Sequence, residues 1–165
     1  MRYRCTTYTP ADGTTTTDYA EDTAALLLRR ALENGFTLTA DPAATTVTLT
    51  RGMRTVTLTP AEPLGPLTPA QRRALLALAA DPGQPITWER SARNVSHLEH
   101  AGHALSHAVS VTLSDRGMVT GTGHPGTRAT LTLRAWLAIA RNQGNPSAAA
   151  AILRDAYRQP APTRT

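Results

Sequence analysis

Four of the five histidines of this 165-residue chain lie in one short segment, HLEHAGHALSH, which runs from His97 to His107. The other two are His100 and His103, so the spacings are three, three and four residues. His103 and His107, four residues apart, can share one zinc ion if they lie on one face of a helix, with each ring nitrogen about 2.0–2.1 Å from the metal. A closed site needs two further ligands, for which His100 and Glu99 are candidates. The spacing allows a metal site, and it equally allows the polar face of a helix that contacts another molecule.

The surroundings of these histidines argue against a metal. Gly102 is expected to interrupt a helix between His100 and His103, and the only cysteine, Cys5, is remote in sequence. Clustered histidines without cysteines seldom form a closed structural site, so neither a metal nor another cofactor is expected. A third interpretation is protonation, because histidine becomes charged near about pH 6.5 and would then contact phosphate more strongly.

Composition and charge limit the class of protein. With 41% hydrophobic and 18% charged residues the chain is globular, and its single cysteine excludes an internal disulfide. The N-terminal MRYRCTTYTP has no apolar run behind its arginines, and no apolar segment is long enough to span a bilayer. We therefore expect a soluble, cytoplasmic protein without a signal peptide or a membrane partner.

The positive charge is unevenly distributed along the chain. Residues 1–60 contain six arginines and six acids, whereas residues 61–165 contain eleven arginines and six acids. The whole excess of +5 thus lies in the second part, and all 17 basic residues of the chain are arginine. A basic half beside a neutral half indicates a polyanionic partner, with an ordinary solvated basic surface as the alternative.

The first sixty residues predict a small β-α-β-β unit in an α+β protein. A strand over 2–9 is followed by the polar turn ADGTTTT and by a helix from about 19 to 33, with Asp18 as its cap and Asn34-Gly35 as its end. FTLTA, TTVTLT and RTVTLTP alternate apolar residues with threonine, which predicts three antiparallel strands under one helix. A proline-rich hinge at 61–66 separates this unit, 1–60, from the remainder.

Beyond the hinge, LTPAQRRALLAL predicts a helix that begins with Thr68 as N-cap. The segment QPITWERSARNVS has no clear periodicity, and the next apolar residues, at 105, 108, 109, 112 and 113, have the spacing of one buried helical face. Two short strands, 118–121 and 129–133, flank the glycine-rich loop TGTGHPGTR. Helices at 134–141 and 147–158 and the tail QPAPTRT end the sequence.

Three segments in this order resemble a winged helix-turn-helix of the MarR type of bacterial regulators. LTPAQRRALLAL (67–78) resembles the helix that precedes the DNA-reading helices, LSDRGMV (113–119) the end of the recognition helix, and TRATLTL (127–133) the returning wing strand. The resemblance implies a winged helix-turn-helix domain at 67–145, followed by a C-terminal helix and tail at 146–165. The chain departs from the family in the long segment before the recognition helix, in Gly126 at the wing tip and in its α/β N-terminal flank. No ligand-sensing pocket is implied.

The resemblance also implies which residues contact DNA. If the apolar face of helix 103–115 is buried, its polar face is free to enter the major groove. That face comprises His103, Ser106, His107, Ser110 and Ser114. His124 and Arg128 in the 121–129 wing would contact the backbone or the minor groove. The predicted function is sequence-specific binding of double-stranded DNA by a nucleoid-associated transcriptional regulator.

Two further expectations concern catalysis and assembly. The chain contains no Gly-x-Ser-x-Gly, no phosphate-binding loop and no lysine, so an enzyme is not expected. The alternative function is a non-catalytic protein-interaction module in which the winged helix binds protein and the N-terminal sheet binds a partner through its edge. A metal-sensing role of the histidines is a variant of this alternative. Helix 147–158 is a candidate contact for a homodimer, and the alternative is that it packs against the helix containing Trp136.

Overall fold

The computed structural model describes residues 1–121 and 123–158. Two expectations concern residues outside this part of the chain: Thr122 in the wing, and the tail QPAPTRT. The chain forms two units, one of Met1–Leu64 together with the segment from Trp136, and one of Gly65–Ala135. We call them unit 1 and unit 2. The division falls within helix α4, Leu133–Arg141.

Unit 1 is built on a five-stranded antiparallel sheet with the strand order β2-β1-β5-β4-β3. Its elements, in chain order, are β1 Arg2–Thr9, β2 Gly13–Ala20, α1 Glu21–Glu33, β3 Thr37–Asp41, β4 Thr46–Arg51, β5 Arg54–Pro60 and α5 Pro146–Arg158. The strands predicted in FTLTA, TTVTLT and RTVTLTP are present, and α1 ends at Asn34-Gly35 as predicted. The sheet has five strands rather than the predicted three, because it includes both β1 and a strand, β2, that the sequence did not predict.

The additional strand next to β1 is β2, where the sequence predicted a polar turn and the beginning of a helix. Its threonines are β-branched and therefore suited to a strand, and Gly13, with φ +71°, reverses the chain before them. Asp18 consequently lies on β2 opposite Arg4, with its carboxylate 3.8 Å from the guanidinium, and does not cap α1. The helix begins at Glu21, after the extended residue Ala20.

The two faces of this sheet differ because apolar residues alternate with threonine. One face carries the buried residues Tyr3, Cys5, Leu38, Val47, Leu49 and Leu58 and packs against the helices. On the other face the pairing of the strands aligns one threonine from each strand in a single row. The row is Thr16, Thr6, Thr57, Thr48 and Thr39. Threonine suits such a half-exposed sheet surface, since its branched side chain favours the strand while its hydroxyl remains hydrated.

Helix α5 belongs to unit 1 although it is far from the other elements in sequence. It packs against β3 and α1, and Leu153 and Tyr157 are buried there. Burial of Tyr157 raises the pKa of its phenol well above the ordinary value, and the carboxylate of Glu21 adds to the rise. The predicted apolar face of this helix is therefore used within the chain, and the expectation that it supplies a homodimer contact is not supported.

Unit 2 combines two complete helices with a four-stranded antiparallel sheet of order β8-β7-β6-β9. Its elements are α2 Pro69–Ala79, β6 Ile86–Arg90, β7 Ser96–His100, β8 His103–Ala104, α3 His107–Asp115 and β9 Arg128–Ala129. Residues 61–68 lack regular structure, in agreement with the prolines of the hinge. Helix α2 begins as predicted, because Thr68 and Gln71 form a capping box.

The segment of unclear periodicity, ITWERSARNVSHLEH, is a β-hairpin. Trp88 pairs with Leu98, and both side chains are buried. The turn SARN is closed by hydrogen bonds between Ser91 and Val95 and from the Asn94 N–H to the Ser91 carbonyl, and Asn94 has φ +62°. A helix-turn-helix requires a helix in this segment, and the structure has two strands there, so the winged helix-turn-helix is not confirmed.

Candidate nucleic-acid interface

The two segments predicted as wing strands are joined by one antiparallel bridge. Val119 and Leu131 form an antiparallel bridge, and the Thr120 N–H donates to the Thr130 carbonyl at 2.9 Å. The returning segment also contributes β9, which pairs with β6 at the edge of the sheet of unit 2. Leu133, predicted as the end of the strand, is the first residue of α4.

Trp88 holds the loop between these two strands against the sheet. Its indole N–H donates to the Thr120 carbonyl at 3.2 Å, and its backbone exchanges hydrogen bonds with Gly126 and Thr127. Gly121 lies so close to the indole that a Cβ atom there would be 2.5 Å from the ring nitrogen. The position of the loop is thus determined by a buried side chain of β6.

The four clustered histidines do not converge. His97 and His100 lie three residues apart on β7 and therefore point to opposite faces of the sheet. His103 is in β8, paired with His100, and His107 is the first residue of α3. Within residues 1–121 and 123–158, no group of three histidine, cysteine or acidic side chains is placed to hold a metal ion.

The prediction that His103 begins a helix is wrong. Ala101 and Gly102 both have positive φ, +50° and +78°, and form a tight two-residue turn that returns the chain along β7. The helix begins at His107, because the Ser106 hydroxyl accepts the Val109 N–H and caps the first turn. Ser106 is thus a cap, and its hydroxyl is engaged within the helix.

The outward orientation expected for Ser110 is also wrong. Ser110 is fully buried, where its Oγ accepts the Leu98 N–H at 2.9 Å and donates to the Ser106 carbonyl at 2.8 Å. Leu113 is buried on the same side, whereas Ala108, assigned to the core by its apolar character, is exposed. The side of α3 that is buried is therefore not the predicted one. Ser110 can lie on the buried side because its hydroxyl both accepts and donates a hydrogen bond there.

Ser96, the first residue of β7, joins three segments of unit 2. His107 Nδ1 donates to the Ser96 carbonyl at 2.6 Å, which brings the beginning of α3 to this end of the sheet. The Ser96 hydroxyl donates to the Gly123 carbonyl at 3.1 Å, which brings the glycine-rich loop to the same place. Arg90 is its partner on β6, at the edge of the SARN turn. We call this end of the sheet the Ser96 end.

Exposed basic side chains lie on each of the three segments. Arg90 and Arg93 are exposed at the SARN turn, where Arg90 Nη1 donates to the Asn94 side chain at 3.0 Å. His124 is exposed in the glycine-rich loop and His107 at the beginning of α3, whereas the exposed Arg128 lies on β9 opposite Thr87, toward the other end of β6. Unit 2 contains seven arginines and four acids, a net charge of +3.

The acids close to this end are partly neutralised by a histidine. His97 Nε2 donates to Glu99 Oε1 at 2.9 Å, and its Nδ1 faces the Val95 carbonyl at 3.4 Å. The hydrogen bond to Glu99 raises the pKa of His97 from its ordinary value of 6.5; burial opposes the rise, and the charge of Glu89 adds to it. Protonated His97 thus offsets part of the negative charge on this face of the sheet.

The predicted contact residues are therefore separated into groups. His107 and His124 lie on segments that meet at the Ser96 end. Arg128 pairs with Thr87, and His103 with His100, toward the other end of the sheet, and Ser114 is two turns further along α3. Arg90, Arg93 and Ser96 were not among the contact residues predicted from the sequence. A hairpin signal was present in the alternation of ITWER and VSHLEH around the turn residues SARN.

Comparison of the chain with protein-family models, with curated proteins and with solved structures gives no match. None of the helices in the described part of the chain has the length and apolar character needed to cross a membrane.

Proposed function

We propose that unit 2 binds double-stranded DNA through the Ser96 end. The observation that carries the proposal is the pair of hydrogen bonds made by Ser96, to His107 and to Gly123, because they join three segments with exposed basic side chains. Arg90 and Arg93 on the SARN turn are exposed and can neutralise phosphates of a duplex, which releases counterions and favours binding.

The three segments have different roles in this proposal. Arg93, on the SARN turn, contacts phosphates at the Ser96 end and positions the protein, and Arg128, opposite Thr87 on β9, contacts the backbone further along the sheet. His107 donates its Nδ1 proton to the Ser96 carbonyl, so its exposed ring is held in a fixed orientation, with Nε2 able to accept a hydrogen bond from a donor on a base edge. Base-specific recognition, and with it a role as a transcriptional regulator, depends on the first turn of α3.

The test is fluorescence anisotropy of the full chain with a labelled duplex at several salt concentrations. Affinity is expected to fall with salt with a log–log slope of about −0.9 for each phosphate contacted. Arg73→Ala is the matched control, because it removes an exposed arginine of α2. This helix contacts the opposite end of α3, where Arg116 Nη1 donates to Gln71 Oε1 at 2.9 Å. Absence of binding at low salt, or equal losses in Arg93→Ala and Arg73→Ala, would contradict the proposal and favour a protein partner.

A further inference from the structure

Helix α1 presents a partly exposed stripe beside its buried face. The buried residues are Ala24, Leu28 and Leu32, which pack in the core of unit 1. Thr23, Leu26, Leu27 and Arg30 follow one another at helical spacing on the adjoining side, next to the buried Ala31. Leu26 is 45% exposed although it is aliphatic. This stripe is about 12 Å long, given the rise of an α-helix.

The stripe forms one wall of a groove of about 380 Å³. Thr7, Val56 and Arg54 of the sheet line the opposite side, and Phe36, just after α1, lines one part of it. The volume lies within the range of about 300–1,000 Å³ that small-molecule sites occupy. The walls are mainly aliphatic and aromatic, which favours an apolar occupant for most of this space.

The pairing of the strands explains why Arg54 faces the groove. Val56 pairs with Thr7, and Arg54 is two residues from Val56 on β5, so both point to the face of the sheet that the helices cover. Arg30 reaches the groove from α1. In the part of the chain that the structure describes, neither Arg30 nor Arg54 lies within ion-pair distance of a carboxylate, although Arg4 does.

We propose that this groove binds an amphipathic carboxylate, with its hydrocarbon part against Leu26, Leu27 and Phe36 and its carboxylate between Arg30 and Arg54. The guanidinium is suited to such a head group because its donors match the two carboxylate oxygens. The apolar walls lower the local polarity, which strengthens the charged hydrogen bonds. The two arginines repel a cationic ligand from the groove. A fully polar anion would leave the apolar walls without apolar contacts.

The test is isothermal titration of the full chain with decanoate below its micelle concentration. Saturable binding at one site is expected, with much weaker binding of decanol and none of decyltrimethylammonium. Arg30→Gln with Arg54→Gln should weaken decanoate by about tenfold or more, since each charged hydrogen bond is worth about a factor of ten. Leu26→Ser should weaken both decanoate and decanol, because it removes an apolar contact.

Arg73→Gln is the control for net charge, since Arg73 is an exposed helical arginine of unit 2. It should leave decanoate affinity unchanged. Equal affinity of decanoate and decanol, or equal losses in Arg73→Gln and in the double variant, would overturn the proposal. So would an acidic peptide that displaces decanoate and binds more tightly, because the groove would then be a peptide site. None of these results depends on the binding of DNA by unit 2.

Discussion

The Leu98 N–H donates to the Oγ of Ser110, 2.9 Å away, which ties helix α3 to strand β7 by a buried side chain. The same oxygen donates its own proton to the Ser106 carbonyl within the helix. Through this hydrogen bond the Ser110 side of α3 faces the sheet, and the residues on the opposite side of the helix are left exposed to solvent. It also places His107, at the beginning of the helix, beside Ser96.

Replacing Ser110 with alanine should destabilise unit 2, because the buried Leu98 N–H loses its acceptor. A buried donor left without a partner costs about 1–3 kcal/mol. Ser114→Ala is the matched control, one turn further along the same helix and half-buried, and should change the unfolding free energy by less than about 0.5 kcal/mol. Urea unfolding followed by circular dichroism measures both. Equal stability of the two variants would show that the bond contributes little.

Gly121→Ala should be more damaging than Gly126→Ala. Both glycines have positive φ, +107° and +79°, so either substitution strains the backbone by about 1 kcal/mol. Only the Cβ at 121 meets the indole of Trp88, at 2.5 Å, whereas nothing lies within 4 Å of the Cβ at 126. The overlap should cost about 1–3 kcal/mol more. Thermal unfolding measures the stability of both variants, and fluorescence follows the environment of Trp88. A loss of stability in Gly121→Ala no larger than in Gly126→Ala would contradict this prediction.

The His97–Glu99 pair should make stability depend on pH. The pKa of His97 is raised in the folded protein, chiefly by its hydrogen bond to Glu99, so the folded form binds the proton more tightly than the unfolded chain. The stabilisation is fully present below the ordinary value of 6.5 and is lost as pH rises through the folded pKa. Urea midpoints at about pH 5.5 and about pH 8 bracket this window. Glu99→Gln should reduce the difference, and an unchanged difference would show that other groups cause it.

Arg93→Ala and Arg128→Ala should each weaken DNA binding to a similar extent on all sequences. Loss of one phosphate contact should reduce the log–log salt slope by about one unit. His107→Ala should behave differently and cost roughly 1–3 kcal/mol on a preferred site selected from a random duplex pool, with a smaller loss on random DNA. Anisotropy titrations on the two kinds of duplex distinguish these cases. An equal loss of affinity for both kinds of duplex in His107→Ala would show that His107 contacts the DNA backbone rather than a base.

The sequence by itself determined the elements whose signals are local. Strands β3, β4 and β5 followed from threonine alternating with aliphatic residues, the end of α1 from Asn34-Gly35 and the beginning of α2 from Thr68-Pro69. In each case the residues that decide the structure are neighbours in the chain. The pairing of 118–121 with 129–133 was predictable for the same reason, since a short glycine-rich loop joins them.

Only the tertiary structure decided the features that depend on distant partners. Ser110 was assigned to solvent from its polarity, and its burial requires the N–H of Leu98, twelve residues away. Helix α5 joins unit 1 because β3 and α1 cover its apolar face, a contact across more than a hundred residues. The basic segments likewise come together at Ser96 only because β6 pairs with β7. Periodicity specifies which residues share a face, whereas the partner of that face is set by packing and hydrogen bonding between segments remote in sequence.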